Sequence, residues 1–143
     1  MDRKKLTNRF LALALDLCNA TIAPALRWNH SVGCRSENVP SGADAYLLSH
    51  IIHDWTEDQC LTILGNCRRA MNPASRLLII EMVLPVGNTP HPGKMLDLMM
   101  LVGPGGRERT EPEYGSLLGK AGLRLARVIP TESPVSIVEA RLD

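Results

Sequence analysis

A chain of 143 residues with 45% hydrophobic and 22% charged side chains has the composition of one globular domain, long enough to bury a core. A formal charge of +1 leaves no basic stripe, and 3% aromatic content leaves few platforms for stacked bases, which argues against nucleic acid as the main partner. Cys18, Cys34, Cys60 and Cys67 form no C-x-x-C pair and read as small core hydrophobes in a reducing compartment, not as disulfides or zinc ligands.

Met1 to Arg9 is basic and Phe10 to Leu26 largely apolar, the outline of a signal peptide, but Asp16 and Asn19 interrupt the apolar run. The better reading is a helix with a polar notch at about 3–17, in a cytoplasmic protein. No stretch reaches the ~18 clean apolar residues of a membrane span, so no membrane partner is expected. From Asp44 the elements are crisp. Residues 44–52 read as a buried strand that ends at His53-Asp54-Trp55. Thr56 with Gln59 forms a capping box that opens a helix over 57–72, with Cys60, Leu64, Cys67 and Met71 on one stripe and Pro73 beyond its end. Arg76 to Leu84 is a second near-continuous apolar run, as in a strand covered on both faces, and 85–92 is a Pro/Gly loop. A helix rich in Leu and Met runs from about Lys94 to Val102 and stops at Gly103-Pro-Gly-Gly106, a glycine cluster that follows a helix and therefore reads as a turn. Thr110 with Glu113 forms another capping box, for a helix that runs to Ala121 and stops at Gly122. Leu123–Ile129 and Val135–Arg141 flank a Pro-bounded turn and should pair as an antiparallel hairpin. The order implies an α/β sheet of parallel strands with an antiparallel edge.

A histidine at the carboxyl end of a buried strand stands where open α/β sheets bind ligands, and it titrates near neutral pH. His53 is therefore the candidate general base. Its bland alternative is a strand-end histidine bonded to backbone. His50, His53 and Asp54 do not suggest a metal site, because positions i and i+3 of a strand face opposite sides, and no metal is expected. Trp55 reads as a packing residue at the helix start.

The segments HIIHDWTEDQCLTILGNCRRAM, IIEMVLP, GGRERTEPEYGSLLGKAGL and PTESPVSIVEARL, in that order, resemble the S-adenosylmethionine-dependent O-methyltransferases that act on small hydroxylated molecules, a family with caffeate-, acetylserotonin- and hydroxyneurosporene-type members. The resemblance covers roughly residues 39–143. It implies a partial class I methyltransferase sheet with a C-terminal hairpin, and His53 as the group that takes the proton from the acceptor hydroxyl. It also implies two glutamates beside that histidine, at Glu81 and Glu108. Glu81 interrupts an apolar strand, and a neighbouring imidazole would give that buried carboxylate its partner. Glu108, within Arg-Glu-Arg, has the alternative of a solvated ion pair. Met95, Met99 and Met100 would line the acceptor pocket, with simple core packing as their alternative. Ser49 stands where some relatives place a lysine near the cofactor, S-adenosyl-L-methionine.

Other family features are not found. There is no Gly-x-Gly loop after a first strand and no acidic residue ending a second. Val32-Gly-Cys-Arg-Ser-Glu37 replaces a Gly-Asp pair, and the family's N-terminal dimerisation domain has no counterpart. The expectation is a divergent leader over 1–38 before the carboxyl part of a catalytic domain over 39–143, with the first cofactor-binding strands absent. The strand 44–52 then has a bare outer edge unless residues 1–40 or a second chain cover it. That edge is the basis of a second reading, a non-catalytic interaction protein that pairs with itself or with a full-length relative.

Overall fold

A computed structural model of the chain describes residues 10–13 and 39–143. Strands β1 (Phe10–Leu13), β2 (Ala45–Ser49) and β3 (Arg76–Glu81) run parallel, and the hairpin strands β6 (Leu123–Pro130) and β7 (Ser136–Leu142) extend the sheet in the order β1-β2-β3-β7-β6. A short parallel ladder joins β4 (Val83–Leu84) to β5 (Arg109–Thr110). The helices are α1 (Glu57–Ala70), α2 (Pro92–Val102) and α3 (Glu111–Lys120). Among the described residues no helix is long and apolar enough to cross a membrane.

The core lies between the sheet and the two helices that start from capping boxes. At α1 the Gln59 side-chain oxygen accepts from the backbone N–H and hydroxyl of Thr56 (3.1 and 2.9 Å). At α3 the Glu113 carboxylate does the same for Thr110 (2.8 Å each). These bonds satisfy donors that a helix start leaves open. Beyond them, α1 turns Cys60, Ile63, Leu64 and Cys67 inward, and α3 turns Tyr114, Leu117 and Leu118 inward. They pack with Tyr46 and Leu48 of β2 and Leu77 and Ile79 of β3. Gly122 has φ +72, the left-handed stop expected after α3.

The structure corrects the sequence reading in several places. Phe10–Leu13 is a strand rather than part of a helix over 3–17, whose other residues lie outside those described. The apolar tetrapeptide finds an open parallel neighbour, and ladder pairing outweighs local helix preference. The outer edge of β2 is therefore not bare, because β1 pairs with it from Ala45 to Leu48. The strand expected over 44–52 ends at Ser49. The one expected over 76–84 breaks at Met82, so Val83–Leu84 leaves the main sheet to pair with β5. The first helix stops at Ala70, two residues early, and α2 begins at Pro92, where His91 Nδ1 accepts the Gly93 N–H at 3.1 Å.

The hairpin forms as expected, with β7 inserted beside β3. Its Glu139, buried, accepts from Arg127 (2.7 Å) and Arg141 (3.1 Å) and lies 3.6 Å from Arg76. Burial pushes this carboxyl up, but the arginines outweigh burial and hold it below the usual carboxylate range. The unfolded chain therefore binds the proton more readily. The stabilisation is present above the unfolded pKa of about 4.3 and is lost as pH falls through the lower, folded value. Glu139→Gln is expected to lose about 1–2 kcal/mol at neutral pH and to match the parent in strong acid, read from urea melts at both pH values.

Candidate active site

The site is built on a turn, not on a strand. After Ser49 the backbone of His50 enters the left-handed region at φ +53, uncommon for a residue with a Cβ though commoner for histidine. The chain then coils into a single 3-10 turn over Ile52–Asp54. A carboxylate on the neighbouring strand holds it. Glu81 Oε1 accepts the successive N–H groups of Ile51, Ile52 and His53 at 3.0, 2.5 and 3.3 Å. Three amides converging on one anion form a backbone nest. The Ile52 carbonyl is fixed from the other side by Arg109 Nη1 and by the Cys60 thiol, both at 3.2 Å. Burial pushes that thiol up to about 11, so Cys60 acts as a neutral donor. Gly106 lies against the His53 carbonyl so closely that a Cβ there would stand 1.8 Å from the oxygen.

From this turn the His53 side chain meets Glu108, Nδ1 to Oε1 at 2.8 Å, with both residues buried. Glu108 is itself placed by α2, whose Asp97 accepts the Glu108 backbone N–H at 2.8 Å. The other carboxylate oxygen of Glu108 has no hydrogen-bond partner among the described residues, so the imidazole is the group that answers its charge. An ionised Glu108 takes the Nδ1 hydrogen and leaves Nε2 as the basic nitrogen, 3.4 Å from Asp54 Oδ1 and only loosely engaged. Burial pulls the His53 pKa down. The Glu108 hydrogen bond and the charges of Glu81, Glu108 and Asp54 overcome it, and the net displacement is upward.

Glu81 does not hydrogen-bond the imidazole that was expected to partner it. Its partners are the three amides and the Tyr114 hydroxyl, which donates to Oε2 at 2.6 Å. It lies within 4.8 Å of the ring nitrogen and acts on it through charge. Glu108 is buried rather than a solvated member of an Arg-Glu-Arg cluster. His50 and His53 do not sit on a strand, so they do not face opposite sides, and their rings are 5.6 Å apart. His53, Glu81 and Glu108 have the spacing of a metal-ligand set. The Glu81 lone pairs, however, already receive four protein donors and Glu108 Oε1 receives His53.

Ser49 is half-buried at the carboxyl end of β2. Met95 (66% exposed) and Met99 (60%) stand open on α2, and Met100 is half-buried. Core packing is thus not the role of Met95 and Met99. A separate cavity of about 720 Å³, lined by Val83, Leu84, His91, Glu111, Leu125 and neighbours, includes none of these residues. Sequence reasoning missed Arg109, Tyr114 and Gly106. Only Tyr114 gave a signal, as a large residue on the inner face of a well-capped helix.

The buried His–Glu pair thus lies beyond the carboxyl ends of parallel strands, where open α/β sheets bind ligands and carry out chemistry. The profile of the O-methyltransferase domain matches residues 20–124, and the chain belongs to that family. Phenazine O-methyltransferase PhzM of Lysobacter antibioticus is 52% identical over 103 residues, 72% of this chain and 30% of that protein. CalO1, a methyltransferase in calicheamicin biosynthesis solved with S-adenosylhomocysteine (SAH), superposes with a TM-score of 0.76 at 40% identity, covering 85% of this chain and 37% of that one. NcsB1, an O-methyltransferase from neocarzinostatin biosynthesis solved with SAH and 1,4-dihydroxy-2-naphthoic acid, superposes with a TM-score of 0.69 at 37% identity, covering 78% and 33%. The chain spans about a third of the length of the relatives it matches.

Proposed function

We propose that this chain carries the general-base half of an O-methyltransferase that moves a methyl group from S-adenosyl-L-methionine to a hydroxyl of a small molecule. The observation that carries this reading is the buried His53–Glu108 bond of 2.8 Å, presented at the carboxyl edge of the parallel strands. The relatives solved with SAH, one of them also with a dihydroxylated naphthoic acid, support the donor and the class of acceptor.

S-adenosyl-L-methionine supplies an electrophilic sulfonium methyl. Ser49, a hydroxyl at the end of β2, is a polar group fit to meet it, with His50 exposed beside it. His53 Nε2 takes the acceptor's hydroxyl proton while Glu108 keeps the Nδ1 hydrogen in place and stabilises the imidazolium that results. General-base help of this kind is worth about 10²–10⁴ in rate. Glu81 adds its charge and holds the turn. On α2, Met100 lies one helical turn from Asp97, on the same face, and Met95 and Met99 offer apolar surface for an acceptor's ring.

His53→Gln is expected to lower methyl transfer by about 10²-fold or more while S-adenosylmethionine affinity, measured by titration calorimetry, stays nearly unchanged. Because the folded-state pKa is raised, the base is neutral only at higher pH. The acid limb of the rate profile should have its midpoint above the ordinary histidine value of about 6.5. Equal rates in the variant and parent would remove His53 from the chemistry. The reading of a non-catalytic protein that pairs through the edge of β2 loses its main support, because β1 occupies that edge.

A further inference from the structure

Tyr114 lies on α3, is fully buried, and comes 33 residues after the carboxylate it contacts. Its ring alone would suffice to fill core space, yet its hydroxyl is placed 2.6 Å from Glu81 Oε2. Glu81 therefore has four donors around it, three amides on one oxygen and the phenol on the other. Burial pushes this carboxyl up and outweighs the rest, and the Tyr114 hydroxyl, the His53 charge and the backbone amides pull it back toward the ionised form. The same carboxylate organises the turn that carries His53.

We propose that Tyr114 is a positioning residue for the base: its phenol keeps Glu81 ionised and aimed at the 51–53 turn, and so sets the orientation and basicity of His53. Its catalytic consequence rests on the reading of His53 as the base; its effect on the imidazole does not. The groups that face His53 are Glu108 from the segment before β5, Glu81 from β3, Asp54 and His50 from its own segment, and Arg109, whose guanidinium holds the Ile52 carbonyl. Tyr114 acts on one of these alone. Without its hydroxyl the Oε2 atom is left buried and unpaired, and Glu81 relieves that by taking up a proton. A negative charge within 4.8 Å of the ring nitrogen is then lost.

The test is the imidazole titration of His53, followed by NMR in the full chain, for the parent, Tyr114→Phe, Glu81→Gln and the double variant. Tyr114→Phe is expected to lower the His53 midpoint by about one unit, the effect of removing one nearby opposite charge. Glu81→Gln should lower it at least as far. In the Glu81→Gln background, Tyr114→Phe should then move it no further, a non-additivity that a purely structural phenol would not produce. An unchanged midpoint in Tyr114→Phe, or an equal fall in both backgrounds, overturns the proposal. Should Tyr114→Phe fail to melt cooperatively, the parent decides. A slowly exchanging Tyr114 phenolic proton displaced far downfield supports the bond to the carboxylate, and its absence in a folded sample overturns it. Absence of methyl transfer by the parent would count against the proposed function and leave these titrations intact.

Discussion

Glu81→Leu is expected to destabilise the protein by about 3–5 kcal/mol, the scale for deleting one partner of a buried charged network. Leucine fits the volume of the site but accepts nothing. The amides of Ile51, Ile52 and His53 and the Tyr114 hydroxyl would all be buried without their acceptor. Each orphaned donor costs about 1–3 kcal/mol, so partial relaxation still leaves a large loss. Urea denaturation with an unchanged slope would measure it. Glu81→Gln, which keeps one carbonyl oxygen for the amides, should lose much less. A loss under about 1 kcal/mol for leucine would mean that the turn finds other acceptors and that the carboxylate does not organise it.

Gly106→Ala should be the other severe change, with an effect aimed at the site itself. A Cβ there meets the His53 carbonyl oxygen at 1.8 Å and the Asp54 carbonyl carbon at 2.8 Å, and both neighbours are backbone that cannot rotate away. Either the 105–109 segment or the His53 turn must move, and Glu108 moves with the first. Overpacking of this kind costs about 3 kcal/mol, at the upper end of its usual range. The sharper readout is the His53 titration, whose midpoint should return toward the ordinary histidine value as the Glu108 contact opens. Gly119→Ala on α3, where an added Cβ meets nothing within 4 Å, is the matched control and should be neutral or slightly stabilising. An intact Glu108–His53 signature in Gly106→Ala would show that the close approach is not needed for the site.

Much of this fold is legible in the residues because local signals and tertiary needs agree there. Thr56 with Gln59 and Thr110 with Glu113 mark helix starts that the structure reproduces, and the two apolar runs around the Pro-bounded turn pair in one hairpin. His53 is legible from its place after a buried apolar run and Glu108 from a motif resemblance, and the structure brings them together. Legibility fails where a distant group overrides the local pattern. Residues 51–53 look like the end of a strand, but a carboxylate 28 to 30 positions away gathers their amides into a turn. No periodicity announces that. Phe10–Leu13 looks helical until β2 offers it a ladder. Arg109 sits among charged neighbours and reads as surface, yet it is buried with its guanidinium on the Ile52 carbonyl. Gly106 reads as one more turn glycine, and only the fold brings it against the His53 carbonyl that a methyl group would strike.

Apart from the Cys60 thiol, the side-chain bonds that fasten the His53 turn span 28 to 57 positions of the chain. Local stretches of α1 or of the hairpin can begin to order on their own, but no short peptide contains this site. Loop-closure entropy must be overcome at several separations before any of these contacts forms. The basic nitrogen is thus a late product of folding, assembled when β3, β5 and α3 have all docked. A fragment that keeps the His-Asp-Trp sequence without them carries an ordinary solvated histidine.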